Sequence, residues 1–556
     1  MRVAVGVERG NGEHMIERRA EIDGMYYLVG GGIASLAAAA FLIRDGDVQG
    51  SRIRIFEETS RIGGSLDAAG DPETGYSMRG GRMLESKYVC TWDLFSSIPT
   101  LDDRTTVTEE TMEWNRTMKT ASKARLFRHG ARVDAPQFGL SERHILSIER
   151  LLLEPEGMLG KDSIADQLDP SFFATDFWWM WCTTFAFQPW HSAIEFRRYL
   201  LRFMHMISGF NTLGGILRTV YNQYDSMVRP LRRWLKERGV QIERGSQVTD
   251  LHFCHDAEGY VVDSMTMERD GTRQEMQVLR CDKVIVTLGS MTEGSSLGSM
   301  EQAPELNDKR VGGAWRLWEC LADQERKRFG RPSRFTDHVD ESKWVSFTTT
   351  LRNPEFFRRV RDLTGNVPGE GGLITFPDSG WLASIVLPHQ PHFVGQPKDV
   401  EVFWGYGLSV DRVGDYVKKP LSECTGREVM TEIMGHLGFD AEAQARILGS
   451  TICIPCMMPF ITSQFLRREH GDRPQVVPEG SKNLAFVGQF CEMPDDVVFT
   501  VEYSVRSAQT AVYALLGLPR TPPPVYKGHH DPRILLNAFL TLHGRAVGKE
   551  HLVAGD

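Results

Sequence analysis

The 556-residue sequence contains no apolar run of about 18 or more residues, so no segment is predicted to cross a bilayer as a helix. Cysteine is sparse. The nine present are scattered, without the dense even spacing of a secreted disulfide scaffold, and a reducing, cytoplasmic setting is expected. No basic cluster with interleaved aromatics occurs and the formal net charge is −9, which argues against a nucleic-acid partner. Residues Met1 to Asp23 are charged and lack the apolar core of a signal peptide, so they read as a frayed extension. No internal repeat or low-complexity tract stands out. The one C-x-x-C, Cys453 to Cys456, has no second pair or histidine pair beside it, and Pro455 with its apolar flanks points to a buried strand end rather than a zinc or redox site. What remains is an ordinary globular composition, 41% hydrophobic and 25% charged, over a length that calls for two or more domains.

One dense signal stands against these absences, at residues 25–35: Met-Tyr-Tyr-Leu-Val-Gly-Gly-Gly-Ile-Ala-Ser. Tyr26 to Val29 reads as a buried strand, Gly30-Gly31-Gly32 as a turn, and Ala34 to Leu42 as an alanine-rich helix. This is the opening of a dinucleotide-binding βαβ unit. Gly30 permits the tight turn, Gly32 lets backbone approach a pyrophosphate, and the first helical N–H groups, at Ile33 and Ala34, point at that anion. Ser35 takes the place of the third glycine and is small enough for close helix–strand packing. A second strand, 52–56, ends in Glu57-Glu58, acids placed to accept hydrogen bonds from a ribose. A further glycine pair in Arg61-Ile62-Gly63-Gly64-Ser65 favours FAD over NAD, with Gly64 and Ser65 at the diphosphate.

Further along, Arg79-Gly80-Gly81-Arg82 suggests backbone packed against something anionic or flat, with a surface turn as the plain alternative. Residues 172–205 are the most aromatic stretch, and Ser192 to Met206 has helical spacing. So many rings suit a helical core and also an apolar ligand pocket; Trp190 and His191 are substrate candidates there. Strands are expected at 240–243, 247–251, 260–267 and 275–279, with a turn at Asp270-Gly271. Asp282 to Ser290 reads as a buried strand on which the chain rejoins the nucleotide domain, with Thr287 near its end and the Val248 backbone beside the adenine. Four more strands are expected near 344–350, 372–376, 381–387 and 400–405. Asn483 to Gln489 is a closing strand ending at Gly488, and a helix from Glu502 to Leu515 follows Phe499 and Thr500, with its N-terminus toward the flavin. Pro532 to Leu542 is an apolar or amphipathic helix that packs on the body or touches a lipid surface. The expected class is α/β. A Rossmann-like FAD-binding domain is built from 24–100, 231–300 and 481–518, a discontinuous substrate region from 101–230 and 301–480, and a helical C-terminal segment from 519–556.

Six motifs occur in order: Gly-Gly-Gly-Ile-Ala-Ser from Gly30; Tyr-Ser-Met-Arg-Gly-Gly-Arg from Tyr76; Phe-Ala-Phe-Gln-Pro-Trp-His-Ser-Ala from Phe185; Tyr-Asn-Gln-Tyr-Asp-Ser from Tyr221; Ile-Pro-Cys-Met-Met-Pro-Phe-Ile-Thr-Ser from Ile454; and Phe-Val-Gly-Gln-Phe from Phe486. Together they resemble the oleate hydratases, also called the myosin-cross-reactive antigen family, from about Tyr26 onward. The resemblance implies bound FAD and the addition of water across the cis-9 double bond of oleic acid to give 10-hydroxystearic acid, without net redox change. It implies that Tyr199 protonates the alkene, that Gln223 lies by the substrate, and that Arg79, Gly80, Gly81 and Arg82 sit at the cofactor.

Two departures accompany the resemblance. Relatives commonly carry a water-orienting glutamate directly after Arg-Gly-Gly-Arg; here that position is Met83, which cannot act as a base, and Glu85 two residues on is a candidate substitute. Many relatives hold the fatty-acid carboxylate with a threonine and an asparagine; here Val386 and Pro388 stand there, so the carboxylate is held elsewhere or the substrate lies differently. An alternative with the same fold is a double-bond isomerase of polyunsaturated fatty acids or an amine-oxidase-like flavoenzyme. A third is a lipid-binding flavoprotein without catalysis.

Overall fold

The computed structural model describes residues 24–133, 138–310 and 312–544; the N-terminal extension expected over 1–23 lies outside them. Its centre is a five-stranded parallel sheet in the order Leu484–Val487, Lys283–Thr287, Tyr26–Val29, Ile53–Glu57 and Gln241–Arg244. The order reverses next to Tyr26–Val29, which places a ligand-binding crevice at the carboxyl ends of these strands. The helix Ile33–Arg44 follows the first strand, and every residue from Ile33 to Leu42 is buried. Its alanines, Ala37 to Ala40, let it lie close under the sheet and against the helix Val501–Leu515. A helix apolar on all sides is stable only when enclosed in this way.

Three antiparallel strands, Ser246–Asp256, Gly259–Arg269 and Thr272–Gln277, form a separate meander. Asp270 and Gly271 both take positive φ (50° and 70°), the turn geometry that matches the twist of a tight hairpin. A six-stranded antiparallel sheet makes the other large layer, in the order Ser296–Leu297, Thr451–Met458, Trp344–Leu351, Glu401–Gly407, Ala383–Val386 and Leu373–Thr375. Trp344–Leu351 is buried along its whole length, which explains its lack of polar alternation. Its threonines serve the neighbouring strand Gly75–Met78: Thr350 Oγ1 accepts from Tyr76 N (2.9 Å) and Thr348 Oγ1 from Met78 N (3.1 Å). The segment carrying Arg79 to Arg82 is thereby laid onto this sheet. Cys453 and Cys456 lie within the strand Thr451–Met458 as free, buried thiols, and burial pushes the Cys453 thiol up to about 12.

The aromatic stretch forms helices against this sheet. The single helix expected over 192–206 is instead α-helical only over Ala193–Arg202; the backbone leaves the α region at Phe203 (φ −107°, ψ 12°) and continues as a 3₁₀ segment, Met204–Thr212. The Phe203 ring stacks on Phe185 at 5.1 Å. The Tyr-Asn-Gln-Tyr motif enters a π-helical turn, Tyr224–Val228, which runs directly into Arg229–Glu237. Glu195, fully buried, joins the aromatic layer to the closing segment by accepting from Arg468 (2.7 Å) and Arg473 (2.9 Å). The C-terminal helix Pro532–Leu542, capped by Asp531, packs on Met204–Thr212 and leaves Leu535, Leu536 and Phe539 exposed. Among the described residues no helix is long and apolar enough to cross a membrane.

Candidate active site

At the head of the parallel sheet the glycine turn makes an anion cradle. Gly30 has φ 97°, and a Cβ there would crowd the Thr287 side chain at 3.2 Å. Gly31 N donates to Glu57 Oε2 (2.7 Å), which ties the acid at the end of the second strand to the turn. Gly32 caps the helix Ile33–Arg44 with no side-chain hydrogen bond, and a Cβ on it would meet nothing within 4 Å. The helix N-terminus, with Ile33 and Ala34, therefore faces open space, as a diphosphate site requires. Gly63 N donates to Gly31 O (2.9 Å), which brings the second glycine pair, with Gly64 and Ser65, against the first turn. Ser35, at the third-glycine position, meets Thr287 Oγ1 at 3.0 Å. On the other side Gly488 N donates to Ser507 Oγ (3.0 Å), Thr500 caps Val501–Leu515, and Phe499 takes φ 70°. Val248 is buried with its carbonyl close to Gly313. Glu58 departs from expectation. It turns away from the cradle and accepts from Gly313 N (2.7 Å) at the start of another helix, and burial raises its carboxyl.

Below the cradle lies a cavity of about 1090 Å³, counting its open mouth, whose walls are mostly aromatic and include Phe185, Tyr199, Phe203, Trp404, Phe499 and Thr500. Tyr199 is 1% exposed. Its hydroxyl donates to Val498 O (2.6 Å), and its ring meets Phe185 and Phe187 edge-on at 5.1 and 4.9 Å. Burial, then the nearby Tyr88, Glu195 and Asp496, pushes the phenol well above its ordinary range, opposed by the charge of Arg82. Arg82 is half-buried, and its guanidinium sits over the Phe499 ring at 4.9 Å, with Nη2 3.4 Å from Ser65 O. No carboxylate pairs with it among the described residues, and burial pulls it down to about 10. Gly81 lies directly under the Trp404 indole, where a Cβ would come within 2.8 Å of Nε1. The arginine-bracketed glycines are thus an interior turn. Arg79 reaches the other way, to Cys456 Sγ (3.2 Å) and Asp67 (3.8 Å).

A second cavity, of about 540 Å³, shares Gly81, Arg82, Met83, Val386 and Trp404 with the first. Met83 and Val386 are thus partition residues, and Pro388 lines the second cavity alone. Gln223 also faces the second cavity, but both ends of its amide are committed: Oε1 accepts from Arg82 N (3.2 Å) and Nε2 donates to Arg82 O (3.1 Å). It positions the Arg82 peptide. Glu85 borders the first cavity yet is held by Arg202 Nη1 (2.8 Å), Lys87 N (2.8 Å) and His205 (3.5 Å). Burial alone would raise its carboxyl; His205 and Arg202 outweigh that and hold it low, which makes it a poor base.

Trp190 and His191 line neither cavity, which corrects their reading as substrate residues. Trp190 Nε1 donates to Glu341 O (2.9 Å). His191 Nδ1 accepts from Gln188 N (3.0 Å), and its Nε2 lies 3.2 Å from the same Glu341 carbonyl. Burial lowers His191 to about 3, so it is a neutral bracket between chain segments, with Phe187 between it and Tyr199. Conversely, Trp404 and Tyr406 are important cavity walls that motif reading missed. Their i, i+2 spacing in Glu401–Gly407 puts them on one face of a strand, a period-two signal that was available.

The chain matches the MCRA family over residues 24–513. It belongs to that family. This MCRA chain is 39% identical over 536 residues to an oleate hydratase of Streptococcus pyogenes serotype M49 (strain NZ131), covering 94% of this chain and 90% of that protein. It is 33% identical over 558 residues to a linoleate hydratase of Lactiplantibacillus plantarum, covering 92% and 97%. Among solved structures, cyclohexylamine oxidase from Brevibacterium oxydans IH-35A shares the fold at 13% identity, with a TM-score of 0.51 over 89% of this chain and 99% of that one. The shared α/β architecture of an MCRA chain and an amine oxidase leaves the chemistry to the cavity walls.

Proposed function

We propose that this protein is an FAD-containing hydratase that adds water to the cis-9 double bond of oleic acid to give 10-hydroxystearic acid. The observation that carries the reading is a dry phenol, Tyr199, in an aromatic cavity whose wall residue Arg82 reaches Ser65 of the second glycine turn. Two hydratases of unsaturated fatty acids among its relatives support it. The cradle fits FAD: Gly30, Gly32, Ile33, Ala34, Glu57, Gly64 and Ser65 would hold the diphosphate and ribose, Val248 the adenine, and Gly80 to Arg82, Thr287, Gly488, Phe499 and Thr500 the flavin end, while the Arg79 side chain is engaged by Cys456 and Asp67. Bound flavin would shape the site and place polar edges near developing charge, since hydration involves no net oxidation or reduction.

Tyr199 supplies a proton to C9 by giving up its bond to Val498 O. Positive charge then develops at C10, where aromatic ring faces stabilise it. Water bonds to C10 and sheds a proton, and the phenolate takes that proton to restore Tyr199. Arg82 favours the phenolate stage through its charge. No carboxylate is needed at Met83 for this balance, and Glu85, already paired, does not serve as one. Positioning and electrostatics carry what a general base supplies elsewhere. The test is incubation of the purified protein with FAD and oleate in ¹⁸O-water. A labelled 10-hydroxystearate is expected; no labelled product defeats the reading. The pairing of Glu85 also favours a second reading, double-bond isomerisation, which needs no activated water and would give a product of unchanged mass. Leu535, Leu536 and Phe539 on the C-terminal helix suit peripheral lipid contact; Leu536→Ser is then expected to weaken co-sedimentation with vesicles, and unaltered sedimentation would count against it.

A further inference from the structure

Away from both cavities, the helix Gly426–His436 carries Glu432 and His436 one turn apart on one face. Glu432 is fully buried and gathers a turn of the preceding loop. Its Oε1 accepts from Asp415 N (2.5 Å), and its Oε2 from Tyr416 N (2.8 Å) and Val417 N (2.8 Å). Asp415, brought alongside in this way, is exposed, and its Oδ2 accepts from Gly380 N (2.8 Å). His436 is 7% exposed, its ring stacked on Phe376 at 5.5 Å and edge-on to Tyr416 at 5.1 Å. Its Nε2 is buried and makes no hydrogen bond. That nitrogen stands between the two carboxylates, 3.3 Å from Glu432 Oε1 and 3.4 Å from Asp415 Oδ2. Among the described residues no lysine or arginine pairs with either carboxylate.

A buried carboxylate beside a second one, with no cation paired to either, is costly. A ring N–H seeking an acceptor would settle on one oxygen, whereas Nε2 stands off two. We propose that Asp415, Glu432 and His436 bind one divalent metal ion of the zinc class. A tetrahedral zinc with bonds of about 2.0–2.1 Å holds its ligand atoms about 3.3 Å apart, which is the spacing from Nε2 to each oxygen. The backbone bonds leave each of these oxygens a further lone pair for the ion. Two oxygens and one imidazole suit zinc better than calcium or magnesium, which take six or more oxygen ligands. The exposed side of Asp415 gives the ion a route in and leaves its fourth position to water. Neither cavity touches these residues, so the ion acts as a brace and not as a second reaction centre. It ties the helix to the Asp415–Val417 turn behind Phe376, next to the edge strand Leu373–Thr375. The assignment stands independently of the hydratase reading.

The test strips the full-length protein with EDTA, titrates in zinc chloride, and reads binding by calorimetry and by the thermal midpoint. The parent is expected to take up zinc and to melt at a higher temperature with it. Asp415→Asn keeps an oxygen for Gly380 N but lacks the charge. It should weaken this binding by at least about 10-fold, since even an outer partner of a metal ligand is worth about 10- to 100-fold, and it should lose the zinc-dependent rise in midpoint. His436→Gln should do the same; because that side chain is buried, the exposed Asp415 position decides the matter if the glutamine variant does not fold. The chain has sixteen histidines and nine cysteines, so uptake by itself is not support. Equal uptake and equal melting of parent and Asp415→Asn mark an adventitious ion only and overturn the proposal. A parent that binds no zinc overturns it too, and leaves His436 as a protonated link between two carboxylates.

Discussion

Replacing Tyr199 by phenylalanine removes one oxygen from the aromatic wall and keeps the ring contacts with Phe185, Phe187 and Phe203. The structural cost is confined to one hydrogen bond, to Val498 O at 2.6 Å. Losing it and leaving a buried carbonyl unpaired costs about 1–3 kcal/mol of stability. The chemical cost is larger. Removing a positioned proton donor lowers a rate by about 10²–10⁴-fold, or about 3–5 kcal/mol of barrier. Tyr199→Phe should therefore remain folded and bind oleate, with kcat for hydroxystearate formation down by at least about 10²-fold and KM little changed. Burial also keeps this phenol protonated through the ordinary alkaline range, so the rate should not fall between neutral pH and about pH 9 on its account. Steady-state kinetics with product quantified by mass spectrometry would decide. A variant within tenfold of the parent refutes Tyr199 as proton donor.

Gly32→Ala adds a methyl group that meets no protein atom within 4 Å, so the thermal midpoint of the flavin-free protein should be unchanged. The same methyl intrudes where a diphosphate would approach, and flavin retention on gel filtration should be lost; retention at parental level would remove the cradle assignment. Glu195→Gln leaves Arg468 and Arg473 buried without their shared carboxylate, at a cost of about 3–5 kcal/mol readable by denaturant melts. In the parent, burial would raise this carboxyl, but Arg473, Arg468 and Arg198 bring it down to about 2, from 4.5. Its stabilisation is then fully present above pH 4.5 and lost as pH falls toward 2, so acid unfolding of the parent should be steeper over that window than that of Glu195→Gln.

The parallel sheet is legible in the sequence because each strand is a short apolar run that ends at a glycine or an acid with a local role. Tyr26–Val29 and Ile53–Glu57 need no distant partner to be recognised. The site is less legible because its chemistry is decided by residues far apart. Glu85 looks like a free carboxylate until Arg202, 117 positions away, claims it. His191 resembles a ligand beside Trp190 until the Glu341 carbonyl, 150 positions away, takes its ring. Arg218 reads as any surface arginine, and only the packing of Asn115 and Gly372 shows that its Nε and Nη2 are enclosed. The break at Phe203 has the same origin, since tertiary stacking on Phe185 prevails over helical spacing.

The turn from Arg79 to Arg82 has a thermodynamic consequence. Arg82 touches Ser65 and Phe499 on the cradle side, its peptide is clamped by Gln223, and its side chain borders both cavities. One residue is therefore a common boundary of two ligand volumes. A ligand on the cradle side that shifts Ser65 or Phe499 re-sets the wall against which an acid binds, and linkage requires the acid to alter the cradle's affinity by the same factor. Such a protein would gauge lipid supply through its hold on its own cofactor.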